Sequence, residues 1–157
     1  MSVELKEEGY EREVAFELAS RIPMSQVELI SFSRTSIAEN ESLDPSIRTG
    51  LLEPRLPEWL RDRALYPAML WVMDKLDWHP SLRAAAKVGA DFVSVEHRMA
   101  TREFIDEAHE RGMPVLAWTV DDARRMGELA GDGVDGIVTD RPDLALQLRD
   151  AAAHAAA

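Results

Sequence analysis

The chain has 157 residues, a formal net charge of −11 and no cysteine. This length suits one domain with a sizeable core, and the lack of cysteine excludes disulfides and thiolate metal sites. The acidic residues are spread along the chain, which argues against a nucleic-acid partner, and no apolar run is long enough for an integral membrane segment.

Short apolar strands alternate with amphipathic helices along the chain, an order typical of a parallel sheet built from βα units. In the first strand, Val3 and Leu5 alternate with Glu4 and Lys6. The apolar stretch 57–76 contains Pro67, so we expect a kinked helix or two pieces there. The predicted strands cover residues 1–6, 27–32, 47–52, 90–95, 114–119 and 136–139.

The predicted helices have clear start and stop signals in the second half of the chain. Thr101 is predicted to cap a helix over residues 102–111, and Asp121 to cap one over residues 122–130. Pro142 is suited to open the last helix, which we expect to fray in the Ala-rich tail, residues 151–157. The other predicted helices cover residues 11–21 and 81–88, with a weak helical pattern over 37–43.

Polar and aromatic residues stand where the predicted strands end, and parallel α/β folds bind ligands at the carboxyl ends of their strands. Glu4 could hold a hard divalent cation, and Lys6 could neutralise phosphoryl charge. By spacing alone, such a Glu-x-Lys pair is more often a solvated face. Phe32 and Trp118 are each either core packing or the wall of a pocket, and His97 lies just past a strand end.

Five motifs then occur in a characteristic order, VELK at 3–6, ISF at 30–32, AHERG at 108–112, WTVD at 118–121 and GIVTDRP at 136–142. Together they resemble the glycerophosphodiester phosphodiesterases, over nearly the whole chain. The resemblance implies an α/β fold, a partial (βα) TIM barrel of about six parallel strands over residues 1–150. It also implies metal-assisted hydrolysis of glycerophosphodiesters to glycerol 3-phosphate and an alcohol, with Ca or Mg as the cation.

The resemblance assigns roles to five residues at the predicted strand ends. Glu4 would be a metal ligand, and Lys6 would be the catalytic residue beside the phosphate. Phe32, Trp118 and His97 would bind the substrate. The implied partner is a small-molecule glycerophosphodiester, and we expect a cytoplasmic protein because no signal peptide is visible.

The chain departs from the family pattern at its beginning, which corresponds to the family's third strand. The family's His-Arg-Gly, Glu-x-Asp and His-Asp motifs are missing, and the four histidines lie elsewhere, at positions 79, 97, 109 and 154. We therefore expect the chain alone to be inactive or nearly so. We also expect its open sheet edges to accept a complementing segment or a second copy.

Two other functions stay open. One is a non-catalytic binding or regulatory barrel module. The other is a different phosphate-ester barrel enzyme, such as a phosphoinositide-type phospholipase, which should bind phosphate through a Gly-rich loop after the last strands. Residues 139–142 offer an acid and a proline instead, which counts against that second alternative.

Overall fold

The computed structural model describes residues 1–53 and 80–155, and strands alternate with helices throughout them. The predicted helical stretch 57–76 lies outside the described residues. The chain divides into two compact units, Met1–Ser94 and Val95–Ala157. The elements that begin in the first unit are β1 (Ser2–Leu5), α1 (Glu11–Ala19), β2 (Glu28–Ser31), α2 (Arg34–Leu43), β3 (Arg48–Leu52), α3 (Pro80–Val88) and β4 (Phe92–Glu96).

The second unit continues the same alternation. Its elements are α4 (Arg102–Glu110), β5 (Val115–Trp118), α5 (Ala123–Asp132), β6 (Gly136–Ile137) and α6 (Pro142–Ala155). The six strands stand in the order β1-β2-β3-β4-β5-β6. This order and the parallel pairing confirm the predicted partial βα barrel. None of the helices within the described ranges is long and apolar enough to cross a bilayer.

The strands of the first unit present two different faces. Glu4 pairs in register with Ile30, and Ile30 pairs with Gly50, so these residues share one face. On the other face, Leu29 belongs to an apolar cluster that packs against Val3 and against Val14 of α1. Helix α1 therefore covers the face opposite to Glu4, as expected for a barrel whose helices lie outside.

Gly50 is required by the close approach of a neighbouring aromatic ring. A Cβ atom at position 50 would lie 2.2 Å from the ring of Phe92, the register partner of Gly50 on β4. The Phe92 side chain is fully buried, and the guanidinium of Arg48 lies 5.3 Å from its centroid. A side chain at residue 50 would therefore displace this ring.

The helix caps of the second unit confirm one prediction and correct another. The Thr101 side chain accepts the N–H of Phe104 at 3.1 Å, as predicted for the start of α4. At α5 the cap is Asp122, which accepts the N–H of Arg125 at 2.8 Å, so the prediction of Asp121 was wrong by one residue. Asp121 instead accepts the Thr139 hydroxyl at 2.9 Å, and this bond joins the turn that follows β5 to the turn that follows β6.

Candidate active site

Glu4 and Lys6 lie at the carboxyl end of β1, and both are exposed. The β1–β2 ladder ends with Leu5 opposite Ser31, so Lys6 and Phe32 are the next residues after this pair. Phe32 is 46% exposed, so part of its ring faces solvent just past the end of β2. The first unit thus brings together three of the predicted site residues.

Hydrogen bonds between the backbone and two side-chain hydroxyls hold the turn that carries Lys6. The Tyr10 hydroxyl accepts the N–H of Lys6 at 2.9 Å and that of Glu7 at 3.1 Å. The hydroxyl of Ser31 donates to the carbonyl of Leu5 at 2.7 Å, which joins the ends of β1 and β2. The turn is therefore fixed from both sides, and the Lys6 side chain projects from a positioned backbone.

A buried carboxylate, that of Glu11, accepts a hydrogen bond from the backbone of the same turn. Glu11 is 1% exposed, accepts the Gly9 N–H at 2.8 Å, and accepts the Ser36 hydroxyl at 2.5 Å. Burial alone raises the pKa of Glu11, but these hydrogen bonds outweigh burial and hold the pKa below its ordinary value. The ionised Glu11 carboxylate therefore joins α1 to α2. Its burial was not predicted, because Glu11 belongs to a helix rich in exposed glutamates.

Glu53 is a second carboxylate that sequence reasoning missed at this end of the first unit. It directly follows β3, and its N–H donates to the Ser94 carbonyl at 2.9 Å. Burial raises the pKa of Glu53, and the positive charge of Arg34 lowers it by a smaller amount. Its position could have indicated a site residue, because Glu53 is an acid that directly follows the apolar strand residues Leu51 and Leu52.

The described residues do not by themselves make up a divalent-cation site. Within residues 1–53 and 80–155, no group of three or more His, Asp or Glu side chains could hold a metal ion. Glu4 offers one carboxylate, whereas Ca²⁺ and Mg²⁺ take about six or more oxygen ligands. Glu4 alone therefore does not make up such a site.

The second unit holds the other two predicted site residues, Trp118 and His97. Trp118 ends β5 and is 9% exposed, and its carbonyl accepts the His97 N–H at 2.9 Å. Arg125 of α5 donates to the carbonyls of His97 and Ala100, which fixes the turn after β4. Glu96, the last residue of β4, is 5% exposed, and sequence reasoning had assigned it no role.

Comparison with known proteins adds sequence evidence to this geometry. The model of the glycerophosphoryl diester phosphodiesterase family matches residues 28–144. Glycerophosphodiester phosphodiesterase GDPD4 of Arabidopsis thaliana is 39% identical over 56 residues, which are 36% of this chain and 17% of that protein. The chain therefore spans well under half of the length of this relative.

Solved structures support the fold. The chain is similar to a glycerophosphodiester phosphodiesterase from Parabacteroides distasonis, with a TM-score of 0.74 and 19% identity over 97% of this chain and 58% of that one. It is also similar to phosphodiesterase OLEI02445 of Oleispira antarctica, solved with sn-glycerol-3-phosphate, with a TM-score of 0.67 and 18% identity over 96% of this chain and 56% of that one. Since the family model matches well over half of the sequence, the chain belongs to the glycerophosphoryl diester phosphodiesterase family.

Proposed function

We propose that the chain acts in the hydrolysis of a glycerophosphodiester to glycerol 3-phosphate and an alcohol. The observation that carries this proposal is the family match together with the exposed Glu4 and Lys6 at the end of β1. The Oleispira antarctica phosphodiesterase, which shares the fold, was solved with sn-glycerol-3-phosphate. That ligand is the product which the proposed reaction would release.

Lys6 is the residue proposed to act on the phosphate. Its ammonium group is exposed, while its backbone N–H is fixed by Tyr10. An ammonium held in this way neutralises the negative charge that grows on the phosphoryl oxygens as water attacks phosphorus. We assign Glu4, on the same face of β1, as one carboxylate ligand of the divalent cation that the family resemblance implies.

The aromatic residues are proposed to bind the alcohol part of the substrate. Phe32 offers an exposed ring after β2, and Trp118 offers a largely buried ring at the end of β5, with His97 hydrogen-bonded to its carbonyl. Rings in such positions cover apolar parts of a ligand while their polar edges make hydrogen bonds.

Hydrolysis also needs a base that takes a proton from water and an acid that protonates the leaving alkoxide. The described residues of the first unit contain no histidine, so Glu4 and Lys6 have no imidazole partner there. We therefore propose that the purified chain binds the product but hydrolyses glycerophosphocholine very slowly or not at all.

Calorimetric titration with sn-glycerol 3-phosphate, with Ca²⁺ present, tests the assignment of Lys6. A hydrogen bond between opposite charges contributes about 1.5–3 kcal/mol, so Lys6→Met should weaken binding about tenfold or more. Lys87→Met is the matched control, because Lys87 is an exposed lysine in the last turn of α3. Equal affinity for the wild type and Lys6→Met would contradict the proposal. Rapid metal-dependent hydrolysis of glycerophosphocholine by the purified chain, abolished by Glu4→Gln, would contradict the proposal that the chain alone is inactive or nearly so.

A further inference from the structure

Tyr10 carries a hydroxyl proton that the proposed reaction does not use. Its phenol oxygen accepts two hydrogen bonds, from the N–H of Lys6 at 2.9 Å and from the N–H of Glu7 at 3.1 Å. A phenol can also donate one hydrogen bond. Because the two N–H groups occupy the acceptor side of the oxygen, the hydroxyl proton points away from the turn. Among the described residues, no hydrogen bond takes up that proton.

The hydrogen bonds of β1 show on which side of the strand this hydroxyl lies. The Glu28 N–H of β2 donates to the Met1 carbonyl. Successive residues of a parallel strand bond to opposite sides, so Met1 and every second residue after it bond to β2. The Lys6 N–H therefore points to the other side, where the Tyr10 hydroxyl accepts it. Within the described sheet β1 is the first strand, so no other described strand lies on that side of it.

The turn that holds the Tyr10 hydroxyl is itself fixed by other side chains. Tyr10 directly precedes α1 and is half-buried. The buried Glu11 carboxylate accepts a hydrogen bond from the turn, and the hydroxyl of Ser33, at the start of α2, donates to Glu8. The phenol hydroxyl is therefore a positioned donor at the strand end where the Lys6 side chain is exposed. A group that is already positioned loses little freedom when a ligand binds.

We propose that the Tyr10 hydroxyl donates a hydrogen bond to a phosphoryl oxygen of the substrate, beside the Lys6 ammonium. The inference rests on the proposed function, because it adds a second donor to the phosphate site assigned to Lys6. A phosphoryl oxygen is an anionic acceptor, and hydrogen bonds to anionic acceptors are stronger than those between neutral groups. The two N–H groups that bond to the phenol oxygen polarise it, which strengthens its proton as a donor.

Calorimetry and fluorine NMR test the proposal on the purified chain, with Ca²⁺ present. Tyr10→Phe keeps the ring and removes the hydroxyl, so it should weaken binding of sn-glycerol 3-phosphate about tenfold, the scale of one charged hydrogen bond. In the chain labelled with 3-fluorotyrosine, the Tyr10 resonance is identified by its loss in Tyr10→Phe. It should shift when sn-glycerol 3-phosphate or inorganic phosphate is added. Glycerol carries no phosphate and should leave the resonance in place.

A control variant that loosens the turn without changing the phenol separates donation to the ligand from a structural role. Ser33→Ala removes the hydroxyl that donates to Glu8 and caps α2, so it should lower the stability of the chain and leave its affinity for sn-glycerol 3-phosphate nearly unchanged. Equal losses of affinity in Tyr10→Phe and Ser33→Ala would overturn the proposal. So would unchanged affinity in Tyr10→Phe, or a Tyr10 resonance that glycerol shifts as much as phosphate does.

Failure of this inference can be told apart from failure of the proposed function. If Lys6→Met weakens binding of sn-glycerol 3-phosphate but Tyr10→Phe does not, the proposed function stands and the donor role of Tyr10 falls. If Tyr10→Phe weakens binding and phosphate shifts the Tyr10 resonance while Lys6→Met changes nothing, Tyr10 stands and the assignment of Lys6 falls. If the chain binds neither sn-glycerol 3-phosphate nor phosphate, both proposals fall.

Discussion

The same three-residue turn precedes a strand in each of the two units. Gly89, Ala90 and Asp91 lead into β4, whereas residues 133–135, Gly-Val-Asp, lead into β6. Both glycines have a positive φ, 78° at Gly89 and 93° at Gly133, a conformation that other residues adopt only with strain. We call this feature the Gly-x-Asp turn. In both units it connects the end of a helix to the start of the next strand.

The aspartate of each turn ties its own strand to a neighbouring strand. The Asp91 N–H donates to the Thr49 carbonyl at 2.8 Å, and its carboxylate accepts the Thr49 N–H at 2.7 Å. Asp135 makes the same pair of bonds with Val115, at 3.0 and 2.8 Å. The two turns differ in one respect, because the Asp135 carboxylate also forms a hydrogen bond with Nε2 of His109 at 2.8 Å. The shared bonds are therefore structural, and the histidine is an addition.

The largest effect should follow loss of the shared carboxylate. Asp91→Ala and Asp135→Ala each remove the acceptor for the N–H of a fully buried residue, Thr49 or Val115. An unsatisfied buried donor costs about 1–3 kcal/mol, so each variant should lose about 2 kcal/mol in urea unfolding at pH 7. Asp106→Ala, on the exposed side of α4, should change stability by less than about 0.5 kcal/mol. If only one of the two variants lost stability, the two aspartates would not have the same structural role.

Substitution of the glycines should have a smaller effect. Gly133→Ala forces alanine into a positive φ with nothing within 4 Å of the new Cβ, which should cost about 1 kcal/mol. Gly89→Ala should cost slightly more, because its Cβ would lie 3.1 Å from Cγ of Glu41. Gly127→Ala, within helix α5 and with open space around it, should instead stabilise the chain. Equal stability changes at Gly127 and Gly133 would contradict the role given to the turn.

The sequence predicts most of the fold because its signals are local. Strand–helix alternation locates the six strands of the described residues. Thr101 marks the start of α4, because its cap bond reaches only three residues along the chain. The error at α5 has a long-range cause. Asp121 and Asp122 are equally good caps by type, and the choice depends on bonds from Asp121 to the turn that contains Thr139, 18 residues away.

The candidate site is less predictable for the same reason. Family motifs locate Glu4, Lys6 and Trp118, but burial of Glu96 depends on how β4 and β5 align, which no local pattern reveals. The Gly-x-Asp turn is readable twice in the sequence. The structural role of its aspartate cannot be predicted from the local sequence. The residues that it bonds lie 42 residues away for Asp91 and 20 residues away for Asp135.

The smallest predicted effect concerns the histidine that distinguishes the two turns, and it depends on pH. Burial raises the pKa of Asp135, but the Val115 N–H and His109 outweigh burial and hold the pKa below its ordinary value. A carboxyl group with a lowered pKa in the folded state stabilises the fold above its unfolded pKa of about 3.9, and this contribution disappears as the pH falls through the folded pKa. Asp135→Asn keeps an acceptor for Val115, so at pH 7 it should cost less than about 1 kcal/mol, the range of an exposed ion pair.

The difference in unfolding free energy between wild type and Asp135→Asn, measured by urea titration from pH 7 down to pH 3, should therefore shrink as the solution is acidified. His109→Gln should reduce that difference at pH 7, because it removes the imidazole that hydrogen-bonds to the Asp135 carboxylate and leaves the Val115 bond in place. Asp91→Asn is the matched control in the other unit, where the described contacts of the carboxylate include no histidine. A pH dependence as large for Asp91→Asn as for Asp135→Asn would show that the backbone bond, rather than His109, sets the electrostatic contribution of the turn.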